Sequence, residues 1–223
     1  MPARRRRRPI ITTDEAAASR QFVDDYRPED VLLETARQRG EEIGVSSVSP
    51  ATGATLQWLA SLIGARVVAE VGTGAGVSGL WLLRGMTDDG VLTSVDEETE
   101  NTRAARQTFN EAGVPTQRVR LITGRALDVL SRLADEGYDL VFFDGNRQES
   151  SRYLEEALRL LRPGGLAIFN DALAGGRVSD PAQRDPETIA VRTLINDTRE
   201  DERIVPLLLP VGDGLLVAQK RVG

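Results

Sequence analysis

Glu70-Val71-Gly72-Thr73-Gly74-Ala75-Gly76-Val77-Ser78 follows a β-branched apolar run and opens a helix-like segment. Its three alternating glycines let the backbone take φ > 0 or come into contact with a ligand. The helix that follows aims free N–H groups and its positive dipole end into the same crevice. This is the pattern of a strand-to-helix turn that binds something small and nucleotide-like. A Gly-rich turn needed only for tight helix packing carries the same local signature, so the flanking sequence has to separate the two.

Downstream, short apolar runs alternate with helical patterns. Arg66 to Val71, Val91 to Val95, Val119 to Ile122, Tyr138 to Phe143 and Leu166 to Phe169 read as strands. Helices between them end near Gly85, Gly113 and Asp135, and another runs from Tyr153 to Leu161 and stops at Pro163-Gly164-Gly165. Nearly all-apolar strands alternating with helices specify a parallel sheet covered on both faces, with right-handed crossovers. After a loop-like stretch at Arg177 to Pro186 and a helix around Glu187 to Thr198, the pattern changes. Ile204 to Leu209 and Leu215 to Gln219 flank the short turn Pro210-Val211-Gly212-Asp213-Gly214, which makes them an antiparallel hairpin.

Upstream, residues 1–25 read as a flexible basic and polar arm and residues 26–223 as one domain. Pro28 with Val31, Leu32 and Thr35 suggests an amphipathic helix. Ser49 as cap and Pro50 in the first turn start a second helix, through Leu56, Leu59, Ala60 and Ile63 to Gly64.

Composition narrows the chemistry. The 223 residues include no Cys and no His, which excludes disulfides, a Cys nucleophile and every Ser-His or Cys-His arrangement. Carboxylates, amides, hydroxyls, Arg or a bound ion must carry any reaction. A net charge of −6 and 4% aromatic residues argue against nucleic acid as a partner. The Arg4 to Arg8 run reads as a solvated terminus. Thr12, Thr13, Asp14 and Glu15 follow it where a secretory signal needs an apolar segment. Pro206, Pro210, Gly212 and Asp213 break the apolar C-terminal run, so no membrane span is expected. The default location is the cytoplasm.

Two cofactors compete for the glycine crevice. A dinucleotide fingerprint, G-x-G-x-x-G, fails when counted from Gly72, because position 77 is Val. It fits only from Gly74, through Gly76 and Gly79, displaced beyond the strand. An acid at Glu70 would repel a pyrophosphate but suits a ligand carrying an ammonium group, such as S-adenosylmethionine. Asp96, closing the second strand at the adjacent edge, can accept both ribose hydroxyls, although it could equally cap the helix ahead of Glu97 and Glu98.

Several segments together resemble the class I S-adenosylmethionine-dependent O-methyltransferases, in particular the cation-dependent group that acts on catechols and caffeoyl-CoA. They are Ser47-Val48-Ser49-Pro50, Glu70 to Ser78 with Leu80-Trp81-Leu82, Ser94-Val95-Asp96, Phe142-Phe143-Asp144 with Tyr153, Leu160 to Gly165, and Leu209 to Gly214. The resemblance runs from about Val45 to Lys220. It implies an α/β, Rossmann-like, seven-stranded, mostly parallel sheet with a C-terminal antiparallel hairpin, helices on both faces, and a homodimer. It also implies that Val48 and Ser78 line the methionine end of the donor, and that Glu70 with the Gly72-Thr73-Gly74 backbone holds its amino-acid portion. Asp96 would bind ribose, and Arg125 and Ala126 would lie beside adenine; the family often has an acid where Arg125 stands.

At the acceptor end the resemblance implies a catalytic Asp144 and a divalent cation, magnesium or calcium, held by Asp144, Asn170 and Asp171. The family's order at the last two positions is Asp-Asn, and its nearby Lys is Arg147 here, which stays protonated and cannot serve as a base. The expected activity is methyl transfer to a hydroxyl of a small acceptor, catechol-like or CoA-linked. A nicotinamide-dependent oxidoreductase and a donor-binding protein without turnover are the alternatives.

Overall fold

The computed structural model describes residues 13–222, and the Arg4 to Arg8 run lies outside them. Three helices precede the sheet: α1 (Thr13–Tyr26), α2 (Val31–Glu42) and α3 (Pro50–Leu62). Asp30 caps α2 by accepting from the Leu33 amide at 3.1 Å, and Ser49 caps α3 by accepting from Thr52 at 3.2 Å. The polar arm read before Tyr26 is therefore helical from Thr13 onward. It lacks a wide apolar stripe because most of its surface faces solvent, with Phe22 and Tyr26 exposed. An Ala-rich stretch behind two acids is nevertheless good helix-forming sequence.

Seven strands follow: β1 (Val67–Val71), β2 (Val91–Asp96), β3 (Val119–Thr123), β4 (Tyr138–Phe143), β5 (Leu161–Phe169), β6 (Ile204–Leu209) and β7 (Leu215–Lys220). They form one sheet in the order β3-β2-β1-β4-β5-β7-β6, parallel from β3 to β5, with β7 antiparallel to both β5 and β6. Helices α4 (Val77–Gly85), α5 (Thr99–Glu111), α6 (Ala126–Leu130), α7 (Ser150–Leu160) and α8 (Pro186–Glu200) connect the strands. Strand β5 starts earlier than its apolar run suggests, because Leu161 already pairs with Tyr138 before a register shift.

Successive side chains of β4 enter different cores, as a strand buried on both faces requires. Leu140 and Phe142 pack with Leu33, Leu56 and Trp81, while Val141 and Phe143 pack with Tyr153, Leu154 and Leu194. Each such fully buried large side chain contributes roughly 1.5–3 kcal/mol. Close packing of α3 on α4 depends on Gly53, where a Cβ would stand 2.2 Å from Trp81 Nε1. The strand order reverses between β1 and β4, which opens a crevice at their carboxyl ends.

Candidate active site

Two adjoining cavities occupy that edge. The first, about 130 Å³, is walled by Val45 to Val48, Gly72 to Ala75, Val77 and Ser78, with Asp96, Asn101 and Asp144. The second, about 440 Å³, lies between α1 and the ends of β4 and β5. Ala17, Arg20, Gln21 and Asp24 form one wall, and Ser46 to Ser49, Thr52, Asp144, Asn170, Asp171, Gly212 and Asp213 form the rest. Ser46, Ser47, Val48 and Asp144 line both. A pair of molecules seated in the two cavities would meet beside Asp144.

The glycine turn creates the first cavity by its backbone. Gly72 has φ 89°, and a Cβ there would stand 2.5 Å from the Asp144 carbonyl oxygen, so strand ends β1 and β4 approach only without a side chain. Asp96 Oδ2 accepts from the Gly74 amide at 3.0 Å. Its Oδ1 accepts from the Glu98 amide at 3.0 Å and from Asn101 Nδ2 at 3.1 Å. The carboxylate thus bolts the turn to the next helix while still facing the cavity.

Glu70 is placed otherwise than its role in the resemblance implies. It is fully buried and does not line the cavity. Strand alternation sends its side chain beneath α4, where Oε1 accepts from Ser78 Oγ and Oε2 from Ser94 Oγ, each at 2.6 Å. Ser94 also shares a 2.7 Å hydrogen bond with Thr73. Burial pushes the Glu70 pKa up to about 7, and the two serine hydroxyls oppose that shift. Glu70 supports the cavity from below: it holds Ser78 directly and Thr73 by way of Ser94, and both of those residues line the cavity.

Arg125 and Ala126 also stand apart. Arg125 is largely exposed and pairs with Glu149 and Glu97, at 3.5 and 3.8 Å, and Ala126 begins α6; neither lines the first cavity. Asn101, Ser47 and the α1 residues are the walls that sequence reasoning missed. Asn101 stands in the first turn of α5, just after Asp96 closes β2, and an amide at the start of that helix is the signal that points to it.

At the second cavity the strands have ended. Asn170 is the first residue after β5, and Asp171 adopts a left-handed conformation with φ 52°, so strand alternation no longer governs where the two side chains point. Asn170 Nδ2 donates to Asp144 Oδ1 at 2.8 Å. Arg147 donates to the Asp171 carboxylate and, at 3.3 Å, to Glu187 Oε2. Desolvation raises the Asp144 pKa to about 6, opposed by the Asn170 hydrogen bond, reinforced by Asp171 and opposed again by Arg147.

This cluster does not fit the divalent cation implied by the resemblance. An ionised Asp144 can only accept, so Asn170 meets it through its amide nitrogen, which cannot ligate a cation. The Asp171 carboxylate is already occupied by a guanidinium. Among the described residues no group of three or more His, Cys, Asp or Glu side chains converges as a metal site.

Comparison with known proteins agrees with this architecture. A Mycobacterium marinum relative designated an O-methyltransferase is 56% identical over 190 residues, covering 85% of each chain. The solved O-methyltransferase from Bacillus cereus, in complex with SAH, is 31% identical with a TM-score of 0.83, covering 92% of this chain and 97% of its own. The O-methyltransferase TomG from Streptomyces achromogenes, involved in tomaymycin synthesis and solved with SAM, is 30% identical with a TM-score of 0.83, covering 92% and 96%. The profile of the O-methyltransferase family matches residues 24–221, and with relatives this similar along nearly the whole length, the chain belongs to that family.

Proposed function

We propose that this O-methyltransferase moves a methyl group from S-adenosylmethionine, whose methionine and ribose portions sit in the first cavity while its adenine reaches beyond it, to a hydroxyl of a small acceptor in the second. The observation that carries the reading is the shared wall: Asp144 and the Ser46 to Val48 segment belong to both cavities. The two structural relatives described with SAM or SAH support the choice of donor. Val48 and Ser78 would flank the methionine end, and the Gly72-Thr73-Gly74 backbone would carry the amino-acid portion with Glu70 behind it. Asp96 would take ribose, with Asn101 at its side. The adenine would extend past Asp96 toward Arg125 and Ala126, just beyond β3.

The chemistry asks little of the protein beyond alignment and a proton acceptor. The acceptor oxygen attacks the methyl carbon, the carbon–sulfur bond breaks, and both its electrons stay on sulfur, which leaves as a neutral thioether. The hydroxyl proton passes to the Asp144 carboxylate. A pKa of about 6 leaves that carboxylate ionised at neutral pH yet more basic than an exposed one. The magnesium or calcium ion implied by the resemblance has no place in this scheme.

A cavity of about 440 Å³ suits a small hydroxylated ring such as a catechol. The nucleotide of a CoA-linked acceptor would extend beyond it. Among the described residues its walls include no aromatic side chain and carry Arg20, Gln21 and Asp24, which favours an acceptor with polar substituents. A cytoplasmic homodimer completes the proposal. No helix among the described residues is long and apolar enough to cross a membrane, and exposed Phe22, Tyr26, Trp58 and Leu62 lie on α1 and α3, two helices in contact.

The test is transfer of labelled methyl from S-adenosylmethionine to a panel of small catechols and related polar hydroxyl compounds, with the product identified by mass. Formation of an O-methylated product supports the reading. Binding of the donor without transfer to any panel member would favour the alternative of a chain that has lost turnover.

A further inference from the structure

Arg147 lies immediately beyond β4, in a short 3-10 turn (Arg147–Glu149). Its side chain is 32% exposed, and the guanidinium is held between the Asp171 carboxylate and Glu187 at the start of α8. Asp171 meets it from a left-handed backbone conformation that a non-glycine residue adopts only when its surroundings hold it there. On the other side, Asn170 caps one oxygen of Asp144 with an N–H. The cluster is thus satisfied by donors from within the chain. A magnesium or calcium ion needs six or more oxygen atoms turned toward one centre. Here one carboxylate oxygen faces an amide N–H, the amide presents nitrogen, and the second carboxylate is engaged by a positive charge that arginine does not lose at any attainable pH.

We infer that Arg147 takes the place of a divalent cation in this chain: its guanidinium neutralises and orients Asp171, the cluster is closed to metals, and methyl transfer needs none. The inference concerns the acceptor end of the proposed reaction and rests on that reading for its functional half. Its metal-binding half stands by itself. Arg147 is a positioning residue, because it lines the small hollow behind Asp144 and Asn170 and reaches the acceptor cavity only through Asp171.

The experiment is a titration of metal-free full-length protein with Mn²⁺, followed through the EPR signal of the free ion. The parent, Arg147→Lys, Arg147→Ala and Arg147→Gln chains are compared, and transfer by the parent is assayed with and without EDTA. The parent and Arg147→Lys should leave the free-ion signal undiminished. Arg147→Ala and Arg147→Gln, with Asp171 released, should bind Mn²⁺ about tenfold or more tightly than the parent. Parent transfer should stay within about twofold in EDTA. One equivalent of Mn²⁺ bound by the parent, or a loss of transfer in EDTA restored by Mg²⁺, would overturn the inference. So would a failure of both neutral variants to gain binding while they still bind SAH. Loss of SAH binding by the parent itself would instead strike the proposed function and leave the Mn²⁺ comparison standing.

Discussion

At the carboxyl ends of β1 and β2, polar side chains are tied to near neighbours in sequence or on the adjacent strand, and the cavity they frame is shaped by backbone. Asp96 holds Gly74, Glu98 and Asn101, and Glu70 holds Ser78 and Ser94. At the ends of β4 and β5 the cavity is assembled from remote pieces instead: α1, the segment before α3, Asp144, Asn170 with Asp171, and the turn between β6 and β7. The donor side adds to these local ties only the Val45 to Val48 segment and Asp144, most of which it shares with the acceptor side. The acceptor side exists only once the whole chain has folded, and it can change specificity by exchanging a wall without disturbing the sheet. Asp144 is where the two meet.

The largest expected effect breaks the pair at that junction. Asp144→Asn should lower the transfer rate by about 10²–10⁴ by removing the proton acceptor, while SAH affinity in calorimetry stays within about twofold. In the parent, the rate should rise with pH through about 6 as Asp144 ionises and then level off. A variant that keeps full activity would put the junction elsewhere.

The next effect probes rigidity on the donor side. Glu70→Ala leaves the buried hydroxyls of Ser78 and Ser94 without their acceptor and should cost about 2–5 kcal/mol in urea unfolding. Glu70→Gln can accept from one serine and donate to the other, so it should fold. It should also remove a pH dependence whose sign is fixed by the raised pKa. Between the ordinary value of 4.5 and about 7 the folded state holds the Glu70 proton more tightly than the unfolded state does. This contribution therefore makes stability fall as pH rises through that window, by roughly 3 kcal/mol in total, and then flatten. A parent and Glu70→Gln chain with identical pH profiles would contradict the buried placement.

Asp96→Ala should weaken SAH binding by about 1–3 kcal/mol through lost charge-assisted hydrogen bonds and a loosened turn. The smallest effect belongs to the acceptor wall. Arg20→Ala on α1 should raise the acceptor KM by a few-fold, about 1 kcal/mol or less, with SAH affinity unchanged. A shift in SAH affinity instead would merge the two regions that the structure separates.

This asymmetry also governs what could be read from sequence. The glycine turn, the cap at Ser49, the acid that closes β2 at Asp96, the apolar strands and the Pro210 to Gly214 turn each signal their structure within a few residues, so the sheet and most of the donor wall are legible. The inward bonds of Glu70 are not legible in the linear pattern, since its position on the strand is local information but the hydroxyls of Ser78 and Ser94 that meet it are not. The helix at Thr13–Tyr26 escaped because a mostly exposed helix carries little apolar periodicity, and its place over the acceptor cavity depends on tertiary contacts such as Asp24 accepting from the Ala51 amide at 3.1 Å. The Asn170-Asp171 order raised the question of a metal site. Its answer needed the left-handed turn at Asp171 and the pairing with Arg147, neither of which a linear pattern contains.

The central claim, that the β1–β2 edge is a methyl-donor site independent of the acceptor side, is tested most directly by calorimetric titration of SAH and of NADH into the parent and Asp144→Asn chains. The account predicts one SAH site per chain with micromolar affinity, equal in both within about twofold, and no heat from NADH. NADH binding without SAH binding, or SAH binding lost on Asp144→Asn in a folded chain, would contradict it.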